Sequence, residues 1–237
     1  MTRQTLVIAI DGPSGAGKGT VARTVASHLA YRHVDTGAMY RAVAWKALQD
    51  GLDLNDGEAV SAVARTSVLE VDGRAMIDGH DVTDAIRTPV IDRAAAIVAQ
   101  HQDVRAALVE RQRRYGAEGG VVMEGRDIGS VVFPAADVKV YLDASPDERA
   151  RRRALDPGHA VGRDGAAAST VAQALEERDR VDRTRRASPL LISPDAVYID
   201  TTGLAISDVV SQVLALVEQV RSTKYKVRST KYKGSTD

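Results

Sequence analysis

A glycine-rich segment near the start of the chain has the residue types and spacing that bind phosphate. It follows an apolar run and opens a stretch of helical character, and its residues are Gly12, Pro13, Ser14, Gly15, Ala16, Gly17, Lys18, Gly19 and Thr20. In such a segment the glycines let backbone amides wrap around an anion, and the helix N-terminus adds partial positive charge. Lys18 can reach the β and γ phosphates. The segment therefore predicts a binding site for a nucleoside triphosphate.

The residue after the lysine separates this loop from the commonest form. That form places Ser or Thr directly after the lysine, where the hydroxyl ligates Mg²⁺. Here Gly19 holds that position and the hydroxyl follows at Thr20, so direct coordination by the residue after the lysine is not possible. The Gly-Lys-Gly-Thr sequence resembles that of nucleoside monophosphate kinases and favours a small-molecule kinase over a GTPase-like switch.

The segment from Asp35 to Arg41 is a candidate second anion site. It runs from a loop into the start of a predicted helix, with Arg41 one turn beyond Gly37. The helix amides, the Thr36 hydroxyl and Arg41 can together hold an acceptor phosphate. A helix cap with one surface arginine is the alternative.

Charged residues also follow a buried strand and share a later helix face. Arg126 and Asp127 come after the apolar run at 121–123, where ligands bind in open α/β sheets. Burying both without partners is costly, so we expect them to face a cleft, although a structural salt bridge is the alternative. Spacings of four and three residues put three further charges on one helix face, as a ligand site or as a solvated stripe of ion pairs: Arg178, Asp182 and Arg185.

Short apolar runs alternate with helical stretches and supply the elements that position these residues. The near-continuous apolar character of the runs is typical of a parallel sheet covered on both faces, and the alternation predicts a doubly wound α/β fold. The predicted strands are 6–10, 121–123, 138–142 and 196–199. The predicted helices are 18–30, 38–49, 89–100, 104–115, 146–155, 171–187 and 207–221.

Two segments interrupt this alternation. Residues 66–84 predict a small β-hairpin insertion, with Asp72 and Gly73 at the tight turn. Residues 156–165 are glycine-rich and lie between two arginine-rich helices, which suits a mobile lid. Residues 145–186 contain ten arginines, no lysine and eight acids, so the arginines can bind phosphate oxygens or pair with those acids.

Composition excludes several classes of protein. The 237 residues include no cysteine, which rules out disulfides, cysteine zinc sites and thiol catalysis and fits a cytoplasmic protein. No apolar run is long enough to cross a bilayer, so we expect a soluble protein without a membrane partner. Residues 1–220 carry 26 basic and 31 acidic side chains, a net charge of −5, which disfavours a nucleic-acid partner. The histidines lack metal-ligand spacing, and we predict no metal held by the protein alone.

The C-terminal segment differs from the rest of the chain. RSTKYK occurs at 221–226 and again at 228–233, and residues 221–237 carry six basic side chains and one acid. The simpler interpretation of residues 221–237 is a disordered extension or an added segment, and the alternative is an anion-binding tail.

The motifs, taken in order, closely resemble those of bacterial cytidylate kinases. They are GPSGAGKGT at 12–20, DTGAMYR at 35–41, IRT at 86–88, EGRDIG at 124–129, VVFP at 131–134, LDAS at 142–145 and RDRVDRTR at 178–185. The resemblance is collinear from about residue 5 to residue 220, and the order and spacing are more specific than any single motif.

The resemblance implies a fold, a domain organisation and a reaction. It implies a P-loop kinase fold with a doubly wound, parallel five-stranded sheet in residues 1–220. A small β-containing monophosphate-binding insertion is expected at about 55–95 and a helical lid at about 145–186, with 221–237 as the tail. The implied reaction moves the γ-phosphoryl group of ATP to CMP or dCMP with Mg²⁺ bound to the ATP. A monomer is expected.

The resemblance also assigns the site residues. The CMP phosphate would contact Thr36, Arg41, Arg126 and Arg185, with Asp35 beside them. Asp182 and Arg178 would meet the sugar, and Arg105 and Asp127 the cytosine. ATP would contact the loop at 12–20 together with Arg149, Arg152 and Arg153. The expected catalytic residues are Lys18, Arg126 and Arg153.

One position departs from the family pattern. Ala96 stands where relatives usually have a serine whose hydroxyl helps recognise the cytosine, so weaker base discrimination is the hypothesis. Two other functions stay open on the residues alone. One is a P-loop kinase acting on UMP or on a non-nucleotide alcohol, and the other is a nucleotide-binding regulatory or nucleic-acid module.

Overall fold

The computed structural model describes residues 5–156, 158–160, 168–185 and 187–233. Its strands are β1 (Val7–Asp11), β2 (Arg32–Asp35), β3 (Leu69–Asp72), β4 (Arg74–Ile77), β5 (His80–Asp81), β6 (Val121–Gly125), β7 (Val138–Asp143) and β8 (Val197–Asp200). Its helices are α1 (Lys18–Leu29), α2 (Thr36–Gln49), α3 (Gly57–Thr66), α4 (Pro89–Val98), α5 (Gln102–Tyr115), α6 (Pro146–Ala154), α7 (Ala168–Thr184) and α8 (Ile206–Lys233), with a π-helical turn at Ile128–Val132.

A parallel five-stranded sheet forms the centre of the fold, in the order β2-β6-β1-β7-β8. The packing of β1 explains why the strands of this sheet are almost continuously apolar. Ile8 and Ile10 pack with α1 and α8 on one face, while Ala9 packs with α2, α4 and α5 on the other. Both faces are therefore buried. The predicted doubly wound sheet is confirmed, and so are the four predicted strands.

The predicted hairpin is present and has a third short strand. β3, β4 and β5 form an antiparallel sheet, and Gly73 adopts φ 76° at the turn between β3 and β4. Periodicity alone missed two elements, β2 and α3. β2 is an edge strand that contains Arg32 and His33, so it lacks the apolar run by which the other strands were predicted. α3 begins after Asp56, whose carboxylate caps the helix by accepting from the amides of Glu58 and Ala59.

The last helix differs from its prediction. α8 continues to Lys233, so the backbone of residues 221–233 is helical where the sequence analysis expects disorder. The physical reason is that no glycine or proline interrupts residues 206–233. Within the described ranges, no helix is long and apolar enough to cross a membrane.

Candidate functional site

The glycine-rich loop joins the end of β1 to the start of α1. Gly12, Gly15 and Gly17 all have positive φ angles of 145°, 81° and 88°. A Cβ at Gly12 would overlap the carbonyl oxygen of Leu142 on β7, and a Cβ at Gly15 would lie 2.8 Å from the carbonyl oxygen of Arg149. The loop therefore needs glycine at both positions, for its conformation and for close contact with neighbouring backbone.

Lys18 is the first residue of α1 and is buried, with 7% of its surface exposed. Its Nζ donates to the carbonyl oxygen of Pro13 at 2.7 Å. Burial, and after it the charge of Arg126, lower the pKa of Lys18 to about 7. The ammonium thus lies within a loop of amides and close to a second cation, where an added anion is strongly favoured.

A cleft of about 700 Å³ opens beside this loop. The predicted donor-side residues that line it are Ser14, Gly15, Gly17, Lys18, Gly19, Thr20, Arg152 and Arg153. The predicted acceptor-side residues that line it are Asp35, Thr36, Arg41, Arg105, Arg126, Asp127, Arg178, Asp182 and Arg185. Residues from six separate stretches of sequence are therefore brought to one cavity. Gly12, Pro13, Ala16 and Arg149 are not among its lining residues.

Arg126 and Asp127 leave the end of β6 in different directions. Arg126 Nε donates to Asp182 on α7 at 2.9 Å, whereas Asp127 is paired with Arg105 on α5. Asp182 also accepts from Arg185 at 3.2 Å. Burial opposes ionisation of Asp182, but Arg126, Arg178 and Arg185 hold its pKa below the usual value. These residues form a network of ion pairs on the acceptor side of the cleft.

Asp35, Thr36 and Arg41 lie at the start of α2. Asp35 is the N-cap, and its carboxylate accepts from the Ala38 amide at 3.0 Å and from Arg41 at 2.8 Å. The Thr36 hydroxyl donates to the carbonyl oxygen of Glu124 at 2.7 Å. The cap predicted as the alternative is therefore present, and Arg41 still lines the cleft.

Several buried guanidinium nitrogens have no hydrogen-bond partner among the described residues. Buried donors are costly to leave without an acceptor. A site rich in unpartnered donors suits an anionic ligand such as a phosphate. The nitrogens are Arg41 Nε, Arg105 Nε, Arg178 Nε and Arg185 Nη2.

The predicted arginines of α6 have different surroundings. Arg149 is buried, donates to the carbonyl oxygens of Ala144 and Ser14 at 3.1 Å each, and is paired with Asp179 on α7. Its guanidinium contacts the glycine-rich loop through the Ser14 carbonyl oxygen and does not line the cleft. Arg153 lines the cleft and donates to the Ser14 hydroxyl at 2.9 Å. Arg152 is held by Glu148 at 2.8 Å and by Thr201.

Asp92 and Tyr40 also line the cleft, and neither was predicted from the sequence as a site residue. Asp92 lies in the first turn of α4, lines the cleft, and accepts from Arg178 at 2.8 Å and contacts His159 Nε2 at 3.1 Å. An acid in a helix's first turn is ordinary, so no sequence signal marks it. Tyr40 lines the cleft under the Arg105 guanidinium, 5.6 Å from ring centroid to Cζ.

Oxygen atoms near the loop can serve as metal ligands. Glu124 lines the cleft, and its Oε1 would lie 3.0 Å from a Cβ at Gly19. Thr20, next in sequence, is exposed and lines the same cleft. Hard oxygen donors of this kind suit Mg²⁺. In the parts of the chain that the structure describes, no group of three or more His, Asp or Glu residues is placed to hold a metal ion, so nucleotide oxygens would have to complete the coordination.

Comparison with known proteins places this arrangement in a family. The cytidylate kinase family model matches residues 8–219. A cytidylate kinase from Desulfitobacterium hafniense is 45% identical over 218 residues, covering 90% of this chain and 93% of the relative. A cytidylate kinase from Bacillus subtilis is 45% identical over 221 residues, covering 90% and 96%. A gluconokinase from Sinorhizobium meliloti shares the fold, with a TM-score of 0.51 and 16% identity over 94% of this chain and 97% of that one.

Proposed function

This chain belongs to the cytidylate kinase family, and from that premise we propose how its cleft carries out the ATP-dependent phosphorylation of CMP and dCMP. The observation that carries the proposal is that the phosphate loop and the cluster of acceptor-side arginines line one cleft. A phosphoryl transfer needs its donor and acceptor phosphates held close together, and two adjoining cationic binding sites, the phosphate loop and the acceptor-side arginines, can hold them so.

The donor half of the site is the phosphate loop with α6. The loop amides of residues 12–20 and Lys18 bind the ATP phosphates. Arg153 reaches the same phosphates from α6, since it already contacts the Ser14 hydroxyl. Arg152 lies near Gly17, with its Nη1 3.6 Å from a Cβ at that position, and can reach the ATP phosphates from α6. Arg149 keeps the loop in place through its bond to the Ser14 carbonyl.

The acceptor half binds the monophosphate through guanidinium groups. Arg41, Arg126 and Arg185, together with Thr36, hold the CMP phosphate, and Asp35 orients Arg41. Asp182 and Arg178 hydrogen-bond the sugar hydroxyls. The unpartnered nitrogens of Arg41 and Arg185 are the donors that a phosphate would satisfy.

The base site lies along α4 and α5. Arg105 and Asp127 form a pair whose planar guanidinium and carboxylate can hydrogen-bond the edge of cytosine. Ala95 and Ala96 on α4, and Ala99 at the C-cap of that helix, line the cleft and leave room for a flat ring. Tyr40 supports Arg105 from below.

The chemistry needs no covalent intermediate and no general base. An anionic oxygen of the CMP phosphate attacks the γ-phosphorus of ATP, a new P–O bond forms, and the bond from the γ-phosphorus to the bridging oxygen breaks, leaving ADP. Lys18, Arg126 and Arg153 stabilise the charge on the group in transfer. Arg126 directly follows β6, and its Nε donates to the Asp182 carboxylate, so its position is set before substrates bind.

Mg²⁺ is proposed to enter with ATP. It would neutralise charge on the β and γ phosphates. Thr20 and Glu124 are the residues that would hold it, directly or through water, and His33 fixes Glu124 with a 3.1 Å contact to its Oε1. Gly19, lacking a side chain, leaves the Glu124 carboxylate close to the loop.

The remaining proposals concern organisation. We assign catalysis to residues 1–220, the monophosphate-binding insertion to about 55–95 and the lid to about 145–186. Within the lid, residues 157, 161–167 and 186 lie outside the described residues. We propose that the protein acts in the cytoplasm, which the absence of cysteine from the sequence supports. We also propose that it acts as a monomer, as the family resemblance suggests.

The direct test measures ADP formation from ATP and Mg²⁺ with CMP, dCMP, UMP or AMP as acceptor. We expect CMP and dCMP to be used best, with CDP or dCDP as product. ATP turnover without any monophosphate, stimulated by DNA or RNA, would overturn the site assignment and favour a nucleic-acid module instead.

A further inference from the structure

Asp11 is the last residue of β1 and directly precedes the phosphate loop. Its carboxylate accepts from two amides of a distant segment: Oδ1 from Ile128 and Oδ2 from Gly129, each at 2.8 Å. These are the first amides of the π-helical turn at Ile128–Val132, and Arg126 and Asp127 immediately precede that turn. One side chain thus connects the end of the donor strand to the backbone that presents two acceptor-side residues.

The contact is a helix cap supplied from another strand. The first amides of a helical turn have no acceptor within the turn, and an anion beside them is favoured. Asp127 occupies the capping position but makes no side-chain cap, because its carboxylate is paired with Arg105. Asp11 takes over the capping, and Asp127 can therefore point toward α5.

The surroundings of this cap leave little room for movement. Asp11 is 6% exposed, and its backbone lies between β6 and β7, opposite Gly125 and Tyr141. A Cβ at Gly129 would lie 3.2 Å from Lys139 Cδ and 3.4 Å from Asp11 Oδ2. Gly129 therefore packs closely against Asp11 and Lys139, with little space for a side chain between them.

We propose that Asp11 is a positioning residue for phosphoryl transfer, which sets Arg126 and Asp127 at a fixed place relative to the phosphate loop. The inference rests on the proposed binding of CMP by Arg126 and Asp127. Arg126 forms an ion pair with Asp182, and Asp127 forms one with Arg105. A shift of this turn would therefore move the proposed contact with the CMP phosphate and the proposed contact with the cytosine together.

The carboxylate also provides a pH-sensitive readout. Burial raises the pKa of Asp11 to about 6, against the two amide bonds that lower it. The charged groups that face it are Lys18 on α1, Asp127 before the turn and Lys139 on β7. The two amide bonds lower the pKa of Asp11, so moving the turn away while Asp11 stays buried on β1 raises that pKa further. Protonation therefore favours the displaced turn, and the cap weakens as the pH falls through about 6.

The first test is Asp11→Asn, which keeps the shape but removes the charge and one acceptor. We expect kcat/KM for CMP to fall by about tenfold to a hundredfold, as expected for the loss of a charge-assisted bond, with KM for ATP nearly unchanged. Hydrogen exchange at the Ile128 and Gly129 amides should accelerate. Asp137→Asn is the matched control, because Asp137 accepts from the Val7 amide at 2.7 Å at the other end of β1.

The outcomes separate the inference from the function on which it rests. Unchanged CMP kinetics in Asp11→Asn, or an equal loss in Asp137→Asn, would overturn the positioning role. Unchanged CMP kinetics in Arg126→Ala would instead overturn the proposed acceptor site.

A measurement on the wild-type protein covers the case in which Asp11→Asn does not fold. The protection factors of the Ile128 and Gly129 amides are compared with that of Val7 between pH 5 and pH 7. We expect the first two to decrease as the pH falls through about 6, and parallel behaviour of all three amides would contradict the proposal.

Discussion

The carboxylate of Asp92 on α4 accepts a 2.8 Å hydrogen bond from the guanidinium of Arg178 on α7, joining the two helices across the cleft. Its other oxygen contacts His159 Nε2 at 3.1 Å. Burial works against ionisation of Asp92, yet Arg178 and His159 hold its pKa well below the usual value. Asp92 is therefore charged at neutral pH and orients an arginine of the proposed sugar site.

Replacing Asp92 should affect the acceptor more than the donor. In Asp92→Asn we expect KM for CMP to rise by about fivefold to a hundredfold, because a charged hydrogen bond is worth ~1–3 kcal/mol. KM for ATP should change little. Steady-state kinetics with each substrate varied in turn is the measurement.

Glu177→Gln is the control for that variant. Glu177 pairs with Arg180 on the same helix, but that pair is solvent-exposed and contributes little. Equal effects of Asp92→Asn on the two KM values would show that Asp92 does not act on the acceptor site in particular.

Lys18 and Arg126 should be needed for the chemical step and not for the fold. In Lys18→Ala and Arg126→Ala we expect kcat to fall by at least about 10²- to 10³-fold, because each removes a cation that stabilises the transferring phosphoryl group. Thermal unfolding followed by circular dichroism should show a folded protein in both cases. Wild-type kcat in either variant would contradict the assigned role.

ATP binding should be accompanied by proton uptake. Burial and the neighbouring Arg126 lower the pKa of Lys18 to about 7, so part of this side chain is neutral above pH 7 before ATP binds. Triphosphate oxygens favour the ammonium form and raise its pKa, so binding takes up protons at pH 7–8.

Calorimetry of ATP binding in buffers of different ionisation enthalpy measures that uptake. Lys18→Met, which cannot titrate, should lose the Lys18 contribution. The same uptake in wild type and variant would show that another group accounts for it.

Arg149 should prove to be a structural residue. Its pair with Asp179 is almost fully buried, with 7% and 5% of the side chains exposed. Arg149→Met leaves the Asp179 carboxylate buried without that partner, and we expect a loss of about 3–5 kcal/mol in the free energy of unfolding. Urea unfolding measures the loss.

Arg151→Ala is the matched change on the same helix, since its pair with Glu148 is exposed on the arginine side, and it should cost far less. A double variant, Arg149→Met with Asp179→Leu, should recover much of the stability because no buried charge is left unpaired. If Arg149→Met weakens ATP binding at unchanged stability, Arg149 contacts the nucleotide after all.

Ala96 provides a test of base discrimination. It lines the cleft between Ala95 and Ala99 and offers no side-chain hydrogen bond to a base. Ala96→Ser should raise kcat/KM for CMP relative to UMP, by up to about tenfold to a hundredfold if the hydroxyl satisfies a polar edge of cytosine worth ~1–3 kcal/mol. An unchanged ratio would remove the idea that this position weakens discrimination.

The phosphate loop and the central strands could be predicted because their signals are local. The amides and the ammonium of the loop all come from the consecutive residues 12–20, and each buried strand carries its own apolar run. β2 escaped prediction because a short edge strand with Arg32 and His33 lacks that run.

Partner choice among the arginines was decided only by the tertiary structure. Residues 145–186 contain ten arginines and eight acids, and sequence spacing allows many pairings among them. Packing of α6 against α7 pairs Arg149 with Asp179 and removes it from the cleft, and packing of α4 beside α7 pairs Arg178 with Asp92.

The physical reason lies in the range of the interactions. A loop of amides depends on the backbone angles of neighbouring residues, which local sequence specifies. An ion pair or a cap such as that of Asp11 on the Ile128 and Gly129 amides, 117 and 118 positions away, depends on where separate elements come to rest. Only the packed fold brings those charges within hydrogen-bond distance.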